Sequence, residues 1–190
     1  MKDLFTIVAL GNSLTEGWGV APWESYPARL QAALNRSRMD CHVVNAGISG
    51  DTCRGVLSRL DEVRMLEPDL VILEIGVNDI LMGAQADRIQ NNIRAIVERL
   101  QAGNIPVLLA GMELPPVVGE PIRVEFAAIY STVARSLQSR FLPSFTRPLW
   151  DRPENLQSDG LHPTAEGYRA ITDHVLPWVV RAVEELRAGQ

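Results

Sequence analysis

Short apolar runs alternate with helical stripes along the whole chain, and this alternation limits the fold more than any other feature. Five runs have the length of a buried strand, at residues 4–10, 41–47, 69–76, 105–111 and 140–145. Apolar residues at helical spacing follow them, at residues 25–35, 52–66, 88–104, 123–138 and 164–186. Strands that alternate with helices pair in parallel, so the sequence predicts an α/β protein built as a three-layer α/β/α sandwich.

Length and composition fit one domain over residues 1–190. The chain has 190 residues, and its apolar fraction of 46% is enough for a substantial core. The sequence contains no linker, repeat or low-complexity segment that would divide it. We therefore expect a single domain.

Charge and residue spacing exclude several classes of function. A net charge of −5 leaves no basic surface for nucleic acid. The apolar runs fall well short of the roughly 18 residues that a membrane span needs, so we expect no stable membrane insertion. Cys41 and Cys53 are too few for a disulfide scaffold, and we expect buried thiols. The histidines at 42, 162 and 174 lack metal-site spacing, so no metal is expected.

The first residues do not have the pattern of a signal peptide, because a charge interrupts the opening and no small-residue cleavage site follows. As given, the sequence predicts a cytoplasmic protein. A periplasmic or secreted protein is the alternative if a leader has been removed.

Polar residues gather where the predicted strands end. They are Asn12 and Ser13 after the first strand, Gly50 and Asp51 after the second, Asn78 and Asp79 after the third, and Asp159 and His162 before the last helix. Ligand sites of parallel α/β sheets lie at the carboxyl ends of the strands. Each group alone is equally typical of a turn or a helix cap. The four together favour a functional site.

The chemistry that these residue types support is acyl transfer. A serine hydroxyl needs a base to take its proton, and His162 could serve Ser13 in that role. Asp159, three residues earlier, could orient the imidazole. The Ser13 N–H, the Gly50 N–H and the Asn78 amide are candidate donors to an oxyanion.

Four stretches together resemble the SGNH hydrolases, also called GDSL-type esterases and lipases. They are "GNSLTEGWG", "NAGISGDTCRGVLSRL", "LEIGVNDI" and "DGLHPTAEGY". The chain resembles most the small bacterial branch of multifunctional acyl-CoA thioesterase I, lysophospholipase L1 and arylesterase. The resemblance implies a flavodoxin-like five-stranded parallel sheet in the order 2-1-3-4-5 and a hydrolase without a cofactor.

The resemblance also assigns roles. Ser13 matches the family's nucleophile, Gly50 and Asn78 match its oxyanion donors, and Asp159 and His162 complete the triad. The departure is Asn12, because the usual block has aspartate there. Asparagine keeps a side-chain oxygen that can accept N–H bonds from the turn around Ser13 and loses only the charge, so we expect Ser13 to be competent.

The main prediction is a serine hydrolase that cleaves small-molecule carboxylic esters or thioesters through an acyl-enzyme. One alternative is a carbohydrate acetyl-esterase of the same family, and another is a small-molecule-binding protein with a degenerate site. Apolar loop residues either line an acyl groove or cap the core; they are Ile80, Leu81, Met82, Leu114 and Val117.

Overall fold

The computed structural model describes residues 4–150 and 152–189. These residues form the strands β1 (Phe5–Gly11), β2 (Cys41–Gly47), β3 (Leu70–Leu73), β4 (Val107–Ala110) and β5 (Arg140–Leu142). Their α-helices are α1 (Ser13–Glu16), α2 (Tyr26–Arg36), α3 (Cys53–Ser58), α4 (Leu60–Met65), α5 (Val77–Leu81), α6 (Ala86–Ala102), α7 (Glu120–Leu137), α8 (Arg147–Trp150) and α9 (Ala165–Ala188). Short 3-10 turns lie at Pro22–Glu24 and Pro153–Asn155.

The strands form one parallel sheet in the order β2-β1-β3-β4-β5, which confirms the predicted fold class. In β1, Val8 pairs with Val44 of β2 on one side and with Val71 of β3 on the other. The chain runs outward from β1 to β2 and then returns to the other side of β1 as β3. The strand order therefore reverses between β1 and β3, and a crevice opens at the carboxyl ends of these two strands.

Helices cover both faces of the sheet. Helix α2 packs against α9, and α6 packs against α3, α4 and α7. Right-handed crossovers place α2 on one face and the helices between β2 and β5 on the other. In α6 the buried side chains recur every three to four residues; they are Ile89, Ile93, Ile96, Val97 and Leu100. The predicted helical stripes are thus the faces that these helices bury.

The core lies on both sides of the central strands. Every residue of β1, β3 and β4 is buried, as expected for strands covered by helices on two faces. Cys41 and Cys53 are buried free thiols, which confirms that prediction. Across residues 4–150 and 152–189, no helix combines the length and the apolar character needed to cross a membrane.

The predicted strands over 105–111 and 140–145 are shorter in the structure, Val107–Ala110 and Arg140–Leu142, and two further elements differ more. The strand predicted over 69–76 ends at Leu73, because Gly76 turns the chain with a φ of +115° into α5. The helix predicted over 52–66 is two helices that meet at Arg59, whose φ of −113° interrupts the first one. The first break starts the helix that carries Asn78, and the second places Arg59 where its guanidinium donates to the Gly11 carbonyl at the end of β1.

Replacing Gly76 with alanine should lower the free energy of unfolding more than replacing Gly83. Both glycines have positive φ, +115° and +82°, so each substitution costs about 1–2 kcal/mol of backbone strain. Only at Gly76 would the new methyl group also lie 2.7 Å from the Tyr130 hydroxyl, which is held by the Ile75 carbonyl. Overpacking should add about 1–3 kcal/mol, measured by urea unfolding. Equal losses in the two variants would contradict this account.

Candidate active site

The turn that carries Ser13 begins directly at the end of β1. Asn12 caps α1 by accepting the Leu14 N–H at its side-chain oxygen, 2.9 Å away, which is the hydrogen bond that the sequence predicts. The Ser13 side chain projects from the first position of the helix and is nearly buried. From α9, the buried Tyr168 hydroxyl donates to the Ser13 carbonyl at 3.2 Å. The turn is therefore held by both neighbouring and distant residues.

The loop before α9 brings His162 and Asp159 to Ser13. His162 Nε2 lies 2.9 Å from Ser13 Oγ, and His162 Nδ1 lies 2.6 Å from Asp159 Oδ2. Gln157 ties this loop to the turn after α1, because its amide donates to the Trp18 carbonyl at 3.0 Å and its backbone N–H donates to the His162 carbonyl at 2.8 Å. The three predicted side chains thus form one continuous chain of hydrogen bonds.

The charge of Asp159 fixes the tautomer of His162. Burial acts to raise the pKa of Asp159, but hydrogen bonds from the His162 ring and from the backbone N–H groups of His162 and Leu161 outweigh it and lower the pKa to about 2. The ionised carboxylate can only accept, so Nδ1 of a neutral imidazole carries the proton. Nε2 is then an acceptor, and the Ser13 hydroxyl donates to it.

Two backbone N–H groups near Ser13 are free to bind a ligand. Within the described part of the chain, neither the Ser13 N–H nor the Gly50 N–H has a hydrogen-bond partner. Gly50 has a φ of +79°, which favours glycine, and no atom lies within 4 Å of the position of a side chain there. The Asn78 side-chain amide donates to the Asp51 carbonyl at 2.8 Å, which uses one of its two N–H groups.

Arg59 ties the Gly50 loop to the sheet. Its guanidinium pairs with Asp51 at 2.8 Å and donates to the carbonyls of Ala46 at 2.9 Å and Gly11 at 3.2 Å. Asp51 follows β2, Ala46 lies in β2 directly before its last residue, Gly47, and Gly11 ends β1, so one side chain joins two strand ends to the loop. Arg59 is also the residue between the end of α3 and the start of α4.

Only some of the residues predicted to line an acyl groove are exposed. Leu81 and Met82 are 57% and 71% exposed, and Ile80 is half-buried beside them. Leu114 is 3% exposed and belongs to the hydrophobic core, so its assignment to an open groove is corrected. Val117 is 92% exposed.

The sequence predicts the triad positions but not the residues that support them. Arg59, Glu74, Gln157 and Tyr168 all bond to the site from other elements. Their partners lie far along the chain, so local patterns carry no signal for them. The sequence does contain one signal for Glu74. It is a charged residue directly after an apolar strand, and glutamate is fully buried almost only when it has a bonding partner.

The described ranges hold no cluster of metal-binding side chains. Across residues 4–150 and 152–189, no cluster of three or more histidine, cysteine or carboxylate side chains could hold an ion. The polar groups of this site are arranged for proton transfer and for binding an anionic oxygen.

Comparison with known proteins shows the family of this chain. A family model described as "GDSL-like Lipase/Acylhydrolase family" matches residues 9–170. The chain belongs to this family. The match covers all four sequence blocks, the last of which ends at Tyr168, and it confirms the resemblance and the predicted class of enzyme.

Relatives within the GDSL-like family are similar over most of their length. "Esterase TesA" of Pseudomonas aeruginosa is 32% identical over 173 residues, which cover 90% of this chain and 86% of that protein. "Thioesterase 1/protease 1/lysophospholipase L1" of Escherichia coli K12 is 31% identical over 182 residues, 95% of this chain and 84% of that protein. The crystal structure of TesA superposes with a TM-score of 0.87 at 32% identity and covers 92% of this chain and 97% of that chain.

Proposed function

We propose that the chain, as a single domain, is a serine esterase or thioesterase that hydrolyses small acyl substrates through an acyl-enzyme. The observation that carries the proposal is the continuous set of hydrogen bonds from Asp159 through His162 to Ser13, beside two unpaired backbone N–H groups. Relatives named esterase, thioesterase and arylesterase support the same activity. The net charge of −5 makes nucleic acid an unsuitable partner.

Acylation begins with the Ser13 hydroxyl. Oγ attacks the carbonyl carbon of the ester or thioester while His162 Nε2 takes the hydroxyl proton. Asp159 stabilises the resulting imidazolium and does not itself take the proton. When the tetrahedral intermediate collapses, its bond to the leaving group breaks, and His162 gives the proton to the departing alcohol or thiol. The product is an ester between the acyl group and Ser13.

Deacylation repeats the same steps with water. His162 takes a proton from water, and the hydroxide attacks the acyl carbon. Collapse releases the carboxylic acid and returns the proton to Ser13 Oγ. Neither acylation nor deacylation needs a cofactor in this mechanism. His162 takes the proton from the Ser13 hydroxyl or from water and holds it until it passes to the leaving group or back to Ser13.

Both tetrahedral intermediates carry a negative oxygen that needs donors. The Ser13 N–H and the Gly50 N–H are the unpaired groups available, and the Asn78 amide has its second N–H free. The hydrogen bond to the Asp51 carbonyl keeps that amide in place before substrate binds. Donors fixed in advance stabilise the transition state without reorganising, and each contributes about 2.7–4 kcal/mol.

The acyl chain is proposed to lie along α5. Leu81 and Met82 end this helix, which starts one residue before Asn78, and both are largely exposed. Ile48 is 50% exposed two residues before Gly50, and its N–H donates to the Gly11 carbonyl. Exposed apolar side chains close in sequence to the Gly50 and Asn78 donors favour acyl groups longer than acetyl.

Replacing Ser13 with alanine should lower kcat on p-nitrophenyl esters at least about 10³-fold, because removing one member disables the whole triad. Labelling by a fluorophosphonate should disappear as well. The matched control is Ser131→Ala on α7, which removes a serine hydroxyl that donates to the Ala128 carbonyl of the same helix. The control should keep both activities. Near-normal turnover by folded Ser13→Ala protein would refute the mechanism.

Hydrolysis should become more efficient as the acyl chain lengthens from acetyl to hexanoyl. Each buried methylene contributes up to about 0.8 kcal/mol, so kcat/KM should rise up to roughly fourfold per carbon. In Leu81→Ser/Met82→Ser this increase should flatten. Met65→Ser is the control. Met65 is 82% exposed at the end of α4, which precedes the amino-terminal end of β3, whereas the candidate site follows the carboxyl ends of the strands. A steady fall from acetyl onward would instead favour the carbohydrate acetyl-esterase.

A further inference from the structure

A carboxylate is buried beneath the nucleophile, outside the triad. Glu74 directly follows β3, is 0% exposed, and donates its backbone N–H to the Leu10 carbonyl of β1 at 2.9 Å. Its side chain therefore lies in the crevice where the strand order reverses. A buried carboxylate is costly unless hydrogen bonds compensate for the lost water. The partners of Glu74 are thus informative about its role.

All of these partners belong to the turn that carries Ser13. The Asn12 amide Nδ2 donates to Oε1 at 2.8 Å, and the Thr15 hydroxyl donates to Oε2 at 2.8 Å. The Asn12 backbone N–H also donates to Oε2, at 3.4 Å. Asn12 precedes Ser13, and Thr15 follows it by two residues. One carboxylate therefore holds the turn on both sides of the nucleophile.

The end of β1 is shaped around this carboxylate. A methyl group on Gly11 would lie 2.6 Å from Glu74 Oε2, 2.5 Å from the Glu74 carbonyl and 2.2 Å from Thr15 Oγ1. Only a residue without a side chain allows the strand to approach so closely. The glycine before Asn12 and the carboxylate across from it thus fit each other.

The groups around Glu74 suit an ionised carboxylate without a cation. Burial raises the pKa of Glu74 to about 7, although hydrogen bonds from Thr15 and Asn12 act to lower it. The titratable groups that face it are neutral phenols, Tyr26 of α2, Tyr130 of α7 and Tyr168 of α9, whose pKa values burial raises. Within residues 4–150 and 152–189 no cationic side chain pairs with it. Its charge is held by N–H and O–H donors alone.

We propose that Glu74 is a positioning residue for Ser13, and that asparagine at position 12 is matched to it as an N–H donor. This inference rests on the proposed function. The asparagine is therefore more than a neutral copy of aspartate. The Asn12 side-chain oxygen caps α1, and its amide N–H donates to the Glu74 carboxylate. An aspartate at position 12 would instead place a second carboxyl group against Glu74.

The first test measures whether Glu74 acts on the nucleophile. Glu74→Ala should lower kcat about 10- to 100-fold, because a nucleophile displaced by about an ångström loses that much. KM should stay within about twofold, as expected for a residue that does not bind substrate. Glu74→Gln keeps one acceptor oxygen, which can still bind the Asn12 amide, and should recover most of the loss. Rates of fluorophosphonate labelling should follow kcat.

The matched control is Asp69→Asn. Asp69 accepts the Thr6 N–H at 2.6 Å, so it also bonds the β1 backbone, but near the opposite end of the strand. This variant should lose thermal stability and keep kcat. Equal kcat in folded Glu74→Ala and Asp69→Asn proteins, with active wild type, would overturn the inference. Wild-type protein that neither hydrolyses esters nor is labelled would instead refute the proposed function.

The second test measures the pairing through stability and pH. In the wild type, the folded pKa of Glu74 lies above its usual value near 4.5. The folded state therefore holds more protons between about pH 4.5 and 7, and Tm should fall as pH rises through this window. Glu74→Gln should remove this fall. In Asn12→Asp, a carboxyl oxygen replaces the amide nitrogen that lies 2.8 Å from Glu74 Oε1 in the wild type. Two buried carboxyl groups this close should share one proton, so the decrease of Tm with pH should extend above pH 7.

The double variant decides whether the two residues are matched. In Asn12→Asp/Glu74→Gln the donor and acceptor exchange places, because the glutamine amide can donate to the aspartate. Its Tm profile should return to the wild-type shape, and kcat should exceed that of Glu74→Ala. A Tm profile of Asn12→Asp that equals the wild type at pH 8–9, or a double variant less stable than both single variants, would overturn the pairing.

Discussion

Strand β1 pairs in parallel with β3, and this pairing brings the two halves of the site together. Residues Ile7 to Leu10 align with Leu70 to Leu73, so Asn12 and Glu74 leave the sheet at the same edge. The turn around Ser13 follows β1, and the Glu74 carboxylate that binds this turn follows β3, so neither strand alone supplies both groups. The hydrogen bonds between them, and the loops that reach them, all depend on this register.

Long-range bonds then make the edge rigid. Arg59 connects the Gly50 loop to the ends of β1 and β2, and Gln157 connects the His162 loop to the turn after α1. Ser13 and His162 are 149 positions apart in the sequence yet lie 2.9 Å apart. Catalysis by proton transfer needs this fixed geometry, because a small displacement of either atom removes the hydrogen bond.

The strand and helix pattern predicts the sheet, and four polar blocks predict the residues of the triad. The predicted sheet is confirmed, because it depends on local periodicity. The structure brings Ser13, His162 and Asp159 together, and their catalytic roles stay a prediction that rests on motifs carried by single segments. The split at Arg59, the burial of Leu114 and the hydrogen bonds of Glu74 depend on contacts between distant segments. Asn12 illustrates the limit: its cap to Leu14 is local and was predicted, whereas its bond to Glu74 spans 62 positions and was not.

The most direct measurement is the crystal structure of the protein after reaction with a fluorophosphonate. The account predicts a covalent bond from phosphorus to Ser13 Oγ. It also predicts one phosphonyl oxygen within about 3.2 Å of the Ser13 N, the Gly50 N and the Asn78 Nδ2. Attachment to another residue, or a phosphonyl oxygen that points away from all three nitrogens, would contradict it.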